Sequence, residues 1–486
     1  MRQLTSLDAQ FLAIESPRQT GHVGGLAVLD PSTAPGGSLS CSDVQDLLAE
    51  RLPMLPPMRW RLAEVPLGLD YPYWVDDPEF DLDFHVREIG LPAPGSDRQL
   101  AEQVARIMSR PLDRSRPLWE LYLIHGVRDD RVAMLTKIHH AVIDGMSGAE
   151  IMGLLLDVSP DGREVPDAPA RDGERAPGGL EMLARGIAGA PLYPLRALRA
   201  LPTTLPNVGD ARATFGTIPG IGRVGRLAAR VQGAVTGDSA PDQGKLEAPR
   251  TSFNGRLTPH RRFAFGEMAL AEVKAVKNAF GCTVNDVVVS ICAGAVRRWL
   301  VEHEELPEEP LVAQIPVSVR TEEQTGTFGN RILMMSAPLF TDVADPVERL
   351  RRTHEALAVM KERHRALPAT LLQDANHFIP PALFSRAARL TFRVTTGRIG
   401  RPNWNLVISN VPGPQIPLYC AGARLIAQYP VSVITDGMGL NITVMSYLGD
   451  LDVGIVADRE QMPDVDRLIP WMQEELDALT GAAVPT

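Results

Sequence analysis

The chain has 486 residues, 44% of them hydrophobic and 22% charged, and a formal net charge of −10. That length suits two to four domain-sized units with sizeable cores. The acidic balance excludes a general nucleic-acid binder and adhesion to anionic membrane by charge alone. The four cysteines lie far apart without a CxxC spacing, which points to free thiols, buried at Cys282 and Cys292, in a reducing compartment.

Residues 22–29 read as a strand and 43–51 as an amphipathic helix stopped by the proline-rich 52–57. Residues 99–109 repeat apolar side chains at Leu100, Val104 and Ile107, a second helix. Two strands, 118–127 and 131–138, are joined through Arg128-Asp129-Asp130. From about 157 to 250 Pro, Gly, Ala and Arg dominate, which marks an inter-domain connection. Within it, 180–201 has helical potential broken by Pro191, Pro194 and Pro202. Residues 222–231 set Arg223, Arg226 and Arg230 beside Val224 and Leu227, either an interface-seeking segment or a solvated helix.

Beyond 251, helices are expected at 268–279, 287–301, 346–365 and 465–479, and strands at 311–319, 332–339, 404–409, 423–430, 439–447 and 450–457. Thr283-Val284-Asn285-Asp286 has the form of a helix cap. The N-terminus lacks a long apolar h-region, so no signal peptide is expected. Apolar runs such as 287–296 fall short of the roughly 20 residues that span a bilayer.

The segment His139-His140-Ala141-Val142-Ile143-Asp144-Gly145 follows an apolar strand and precedes an apolar helical run. Such a turn exposes side chains to a cleft on a rigid scaffold, and a neutral imidazole there suits general-base chemistry. A metal site is the weaker reading: adjacent residues on a strand point to opposite faces, and no HExxH or cysteine-rich set accompanies them. No GxSxG elbow occurs, so a serine acyl-enzyme is not expected.

The turn resembles the HHxxxDG signature of the coenzyme A-dependent acyltransferase superfamily, which includes chloramphenicol acetyltransferase and peptide-synthetase condensation domains. Further segments narrow the resemblance: residues 5–12, His22-Val23-Gly24-Gly25, Pro117-Leu118-Trp119-Glu120, Asn285-Asp286, 409–414 and Gly439-Leu440-Asn441-Ile442. Together they resemble the bacterial wax ester synthase/diacylglycerol acyltransferases along nearly the whole chain, except the connection.

The resemblance implies an α/β fold of two chloramphenicol-acetyltransferase-like subdomains with mixed sheets and an active-site tunnel at their interface. Residues 1–156 would form the N-terminal subdomain carrying the histidines, 157–250 the variable connection and 251–486 the C-terminal subdomain. It implies an O-acyltransferase that moves a fatty acyl group from acyl-coenzyme A to a lipid alcohol, forming triacylglycerol from diacylglycerol and wax esters from fatty alcohols. A polyketide, sugar or peptide acceptor, or a non-catalytic lipid-binding relative, are the alternatives. His140 would be the general base and His139 its support. Asp144 would pair with an arginine to shape the loop, and Gly145 would let the backbone turn.

Asn285 and Asn410 are candidate oxyanion donors, with Asp286 and Ser409 beside them as support. Each also has a plainer reading: Asn285-Asp286 caps a helix, Asn410 closes an Asx turn, and Trp119 is a core residue. Arg320 could pair with a carboxylate at a strand end. His260, His303, His354, His364 and His377 are assigned no catalytic role. No cofactor or metal is expected, since acyl-coenzyme A enters as substrate. The partners expected are acyl-coenzyme A and a lipid alcohol, with no nucleic acid. The location expected is cytoplasmic, with peripheral contact to the inner membrane or lipid droplets.

Overall fold

The computed structural model describes residues 1–143, 148–165, 177–189, 248–318, 332–365 and 401–483. The first half runs β1 (Arg2–Gln3), α1 (Ser6–Ile14), β2 (His22–Asp30), α2 (Cys41–Arg51), β3 (Trp60–Ala63), β4 (Tyr73–Asp76), α3 (Leu82–His85), β5 (Val86–Gly90), α4 (Asp97–Met108), β6 (Trp119–Val127), β7 (Arg131–His139), α5 (His140–Ile143), α6 (Gly148–Leu155) and α7 (Gly179–Gly189). The second half supplies β8 (Arg261–Ala269), β9 (Leu311–Ser318), β10 (Ile332–Leu339), β11 (Leu406–Val411), β12 (Tyr419–Cys420), β13 (Ala423–Val431), β14 (Leu440–Tyr447) and β15 (Asp450–Asp458). Its helices are Leu270–Phe280, Val284–Glu302, Pro346–Arg365 and Leu468–Ala483.

Local chemistry fixes where the helices begin. Ser40 caps α2 and Ser96 caps α4, each in a reciprocal box with the residue three further on, Asp43 and Gln99. These caps start both helices two residues earlier than apolar periodicity alone suggests. Helix α1 was not expected from periodicity; a Thr5–Asp8 box starts it. The strand β8 was also unforeseen, and it absorbs Met268, so the next helix starts at Leu270.

Two six-stranded mixed sheets organise the chain, in the orders β12-β13-β2-β7-β6-β5 and β10-β9-β11-β14-β15-β8, with a small sheet β1-β4-β3 beside the first. The residues assigned to a C-terminal subdomain, 251–486, therefore feed both large sheets. Tyr429 of β13 lies opposite Leu26 of β2. The connection meets the edge of the same sheet at β12, since Asp157 and Tyr419 exchange backbone hydrogen bonds of 2.7 and 2.8 Å. Strand exchange of this kind leaves no mark in local composition. One core fills the second sheet and the helix Val284–Glu302, which is buried along most of its length. A second backs the first sheet, and a third, with Leu26, Leu135, Phe263 and Tyr429, joins the two sheets.

No single helix among the described residues is long and apolar enough to cross a membrane, and the bent apolar pair Leu270–Phe280 and Val284–Glu302 contributes largely to the core. The cysteines are free, with Cys282, Cys292 and Cys420 buried and Cys41 partly so.

Candidate active site

Strand β7 sorts its side chains by the two-residue period of a strand. Val132, Met134 and Ile138 enter the core behind the first sheet, whereas Ala133 and Leu135 enter the core between the sheets. Lys137 and His139 fall on the latter face. Lys137, fully buried, donates to the Arg110 carbonyl at 2.7 Å and lies 3.3 Å from the Glu120 carboxylate on β6. Burial pushes its pKa down, and Glu120 opposes that shift. Trp119, beside Glu120, is a core residue: it is 2% exposed and its indole N–H donates to the Met58 carbonyl at 2.6 Å.

The chain leaves β7 at His139 and enters α5 at His140. The two imidazoles therefore meet different surroundings. His139 is buried; its Nδ1 accepts the Ala141 N–H at 3.1 Å and its Nε2 lies 3.1 Å from Glu15 Oε1. A nitrogen that accepts keeps its lone pair, so the ring proton lies on Nε2, on the side of the Glu15 carboxylate. His140 is only partly buried and its ring stacks on Phe11, with centroids 3.9 Å apart and planes at 18°. Its backbone N–H donates to the Gly21 carbonyl at 2.8 Å.

Glu15 closes α1, and its Oε1 also accepts the Gly21 N–H at 2.6 Å, while Oε2 takes Arg114 at 2.6 Å. Burial alone raises this carboxyl, but the His139, Arg114 and Gly21 contacts outweigh it and hold the pKa at about 2. Gly21 must lack a side chain: a Cβ there would sit 2.9 Å from His139 Nε2. Glu15, Gly21, Arg114 and Phe11 were not singled out from sequence. The one available signal was the four-residue spacing of Phe11 and Glu15, which puts both on one face of a helix.

His22 lies opposite His139 in the β2–β7 pair and bonds the Met108 carbonyl through Nε2 at 2.7 Å. Burial, then the Lys137 charge, lowers its pKa from 6.5 to about 3. The folded state thus keeps His22 neutral where the unfolded chain protonates it. Its contribution is whole above about pH 6.5 and is lost as pH falls toward about 3. The melting temperature should fall through that window, and His22→Gln should flatten the fall. Parallel melting curves against pH for the two proteins would exclude His22 as the source.

The other expected site residues lie elsewhere. Asp144, Gly145 and Arg320 fall outside the described residues. Asp286 caps the helix Val284–Glu302 by accepting the Thr283 N–H at 2.9 Å, and pairs with His354 Nδ1 at 2.8 Å. The capping reading of Asn285-Asp286 therefore holds, and His354 is its partner. Ser409 and Asn410 sit within β11, paired with Thr443 and Val444 of β14, so Asn410 extends a strand and closes no turn there. The described contacts join none of these four to the histidine turn.

A different late segment reaches the stretch that leads into Gly21. Asn441 donates to the Val433 carbonyl at 3.0 Å and accepts from Thr443 at 2.9 Å, fixing the loop after β13. From that loop the Asp436 N–H donates to buried Gln19 at 2.8 Å, two residues before Gly21.

Two mixed sheets sharing an exchanged strand, with paired histidines ending a central strand, define the chloramphenicol-acetyltransferase-like class of α/β fold. The first condensation domain of the calcium-dependent antibiotic synthetase shares it, with a TM-score of 0.56 and 16% identity over 99% of this chain and 96% of that one. The wax ester synthase/diacylglycerol acyltransferase catalytic domain matches residues 4–288, and the C-terminal domain of the same family matches 328–480. A putative diacylglycerol O-acyltransferase of Mycobacterium tuberculosis is 38% identical over 99% of this chain and 90% of its own length. The O-acyltransferase WSD of Acinetobacter baylyi is 32% identical over 99% and 97%. The wax ester synthase/diacylglycerol acyltransferase from Marinobacter aquaeolei superposes with a TM-score of 0.70 at 30% identity, over 99% of this chain and all of that one. The chain belongs to the wax ester synthase/diacylglycerol acyltransferase family.

Proposed function

We propose that the chain transfers a fatty acyl group from acyl-coenzyme A to a lipid alcohol, forming triacylglycerol from diacylglycerol and wax esters from fatty alcohols. The observation that carries this reading is the unequal setting of the two imidazoles: His139 is buried against Glu15 and Ala141, whereas His140 is only partly buried and stacks on Phe11. His140 takes the proton of the acceptor hydroxyl as its oxygen attacks the thioester carbonyl. The C–S bond then breaks, and the same imidazole returns the proton to the departing thiolate. No cofactor enters this scheme. Asp144 and Gly145, outside the described residues, keep the supporting roles the family implies for them, and a tunnel between the sheets admits the two substrates from opposite mouths. The test is the purified protein with labelled palmitoyl-coenzyme A against diacylglycerol and hexadecanol. Ester formation with either supports the reading. Transfer only to a sugar, peptide or polyketide hydroxyl, or no transfer, overturns it.

Both products are nearly insoluble in water, which favours work at a lipid surface. The proposal places the protein on the cytoplasmic face of the inner membrane or on lipid droplets, held by apolar contact with a basic share from Arg223, Arg226 and Arg230. These arginines fall outside the described residues. Exposed Leu67, Leu180 and Ile187 lie on α7 and the turn it packs against, and add apolar area. Replacing the three arginines by glutamate should weaken flotation with anionic vesicles more than with neutral ones. Equal flotation of both proteins on both vesicles would remove that segment from the contact.

A further inference from the structure

Helix α1 meets the histidine turn with two side chains one helical turn apart. Phe11 stacks on His140, and Glu15, at the helix C-cap, faces His139 Nε2 at 3.1 Å. The Glu15 carboxylate also grips Gly21, whose carbonyl holds the His140 N–H. One carboxylate thus touches both segments that flank the general base. Arg114 keeps it in place from behind, bonding Glu15 at 2.6 Å and the Leu12 carbonyl at 2.9 Å. Only 14% of the Glu15 side chain is exposed, so its charge is weakly screened and its hydrogen bonds are of the strong, charge-assisted kind.

We propose that Glu15 is a positioning residue for acyl transfer, acting through the His139 imidazole to fix the orientation of His140. An ionised carboxylate against Nε2–H stabilises the tautomer whose Nδ1 lone pair receives the Ala141 N–H. That bond in turn pins the first turn of α5, and His140 opens that turn. Glu15 remains charged throughout the working pH range because its pKa is held at about 2. The inference rests on the reading of His140 as the base.

The test uses the full-length protein and a double-mutant cycle in kcat. Glu15→Gln keeps the shape of the side chain, and its amide oxygen can still accept from Gly21, but the charge is gone. His139→Asn keeps an acceptor where Nδ1 stood and removes the reach to Glu15. Glu15→Gln should lower kcat by roughly 10–100-fold, the factor that a hydrogen bond to a charged group carries. KM for both substrates should stay within about twofold and Tm within a few degrees. In the His139→Asn background, Glu15→Gln should cost less than about threefold more, because the two side chains act as one unit. Full additivity, a kcat near wild type in the single variant, or a loss tracking a large fall in Tm overturns the inference. If instead His140→Ala retains activity, the base assignment itself has failed, a result read from a different variant.

Discussion

His140→Ala should lower acyl transfer by about 10²–10⁴-fold, the share a positioned general base supplies, while the protein still folds. The stability side follows from the geometry. The backbone bond from His140 to the Gly21 carbonyl survives the substitution. The ring removed is partly exposed, and its stack on Phe11 is worth about 0.5–1.5 kcal/mol beyond its area. His139→Ala should behave the other way round. It empties a buried site and removes the partner of Glu15 and the acceptor of Ala141, so melting suffers more and turnover less. Kinetics with palmitoyl-coenzyme A and thermal melts of both variants decide the matter. Turnover of His140→Ala within about tenfold of wild type would sink the mechanism, and a greater kinetic loss in His139→Ala would reverse the two roles.

Asp157→Ala should be among the most destabilising single changes in the described chain. Arg51, at the end of α2, and Asp157, just beyond α6, form an ion pair at 2.5 Å with side chains only 2% and 3% exposed. Arg51 also donates to the Leu154 carbonyl at 2.8 Å. Removing the carboxylate leaves a guanidinium buried without its counter-charge, at a cost of about 3–5 kcal/mol. That converts to a fall in Tm of roughly 6–20 °C for a unit of 150–250 residues. Replacing both partners by apolar residues, as in Arg51→Met with Asp157→Leu, should recover much of the loss, because no unpaired charge remains. A single variant that melts within about 2 °C of wild type would show that Arg51 finds water or another partner.

What the sequence made legible was whatever local pattern encodes. The double histidine at a strand end, the capping box before Val284–Glu302 and the helix Pro346–Arg365 all follow from spacing over a few residues. The groups around the histidines were hidden because they come from far along the chain: Arg114, which holds Glu15, lies 99 residues from it. Lys137 was hidden differently, inside an apolar run whose periodicity it does not break; only the structure reveals the Glu120 carboxylate that makes its burial tolerable. For Asn285-Asp286 the plain capping chemistry accounts for the backbone bonds between Thr283 and Asp286, and the rest of the Asp286 carboxylate meets His354 and Lys361. Asn441, noticed only as part of a resemblance, acquires a physical task in holding the loop whose Asp436 meets Gln19.

The strand exchange has a consequence for synthesis. In the finished protein β2 is sandwiched between β7 and β13. A ribosome releases β2, β6 and β7 early and delivers β13 only after Val431. At roughly 5–20 residues per second, the nascent first sheet spends on the order of tens of seconds with a nine-residue strand edge unpaired. Bare edges of that length recruit other chains. Cells making this protein should therefore depend on holdase chaperones during translation, and a fragment truncated after the connection should aggregate.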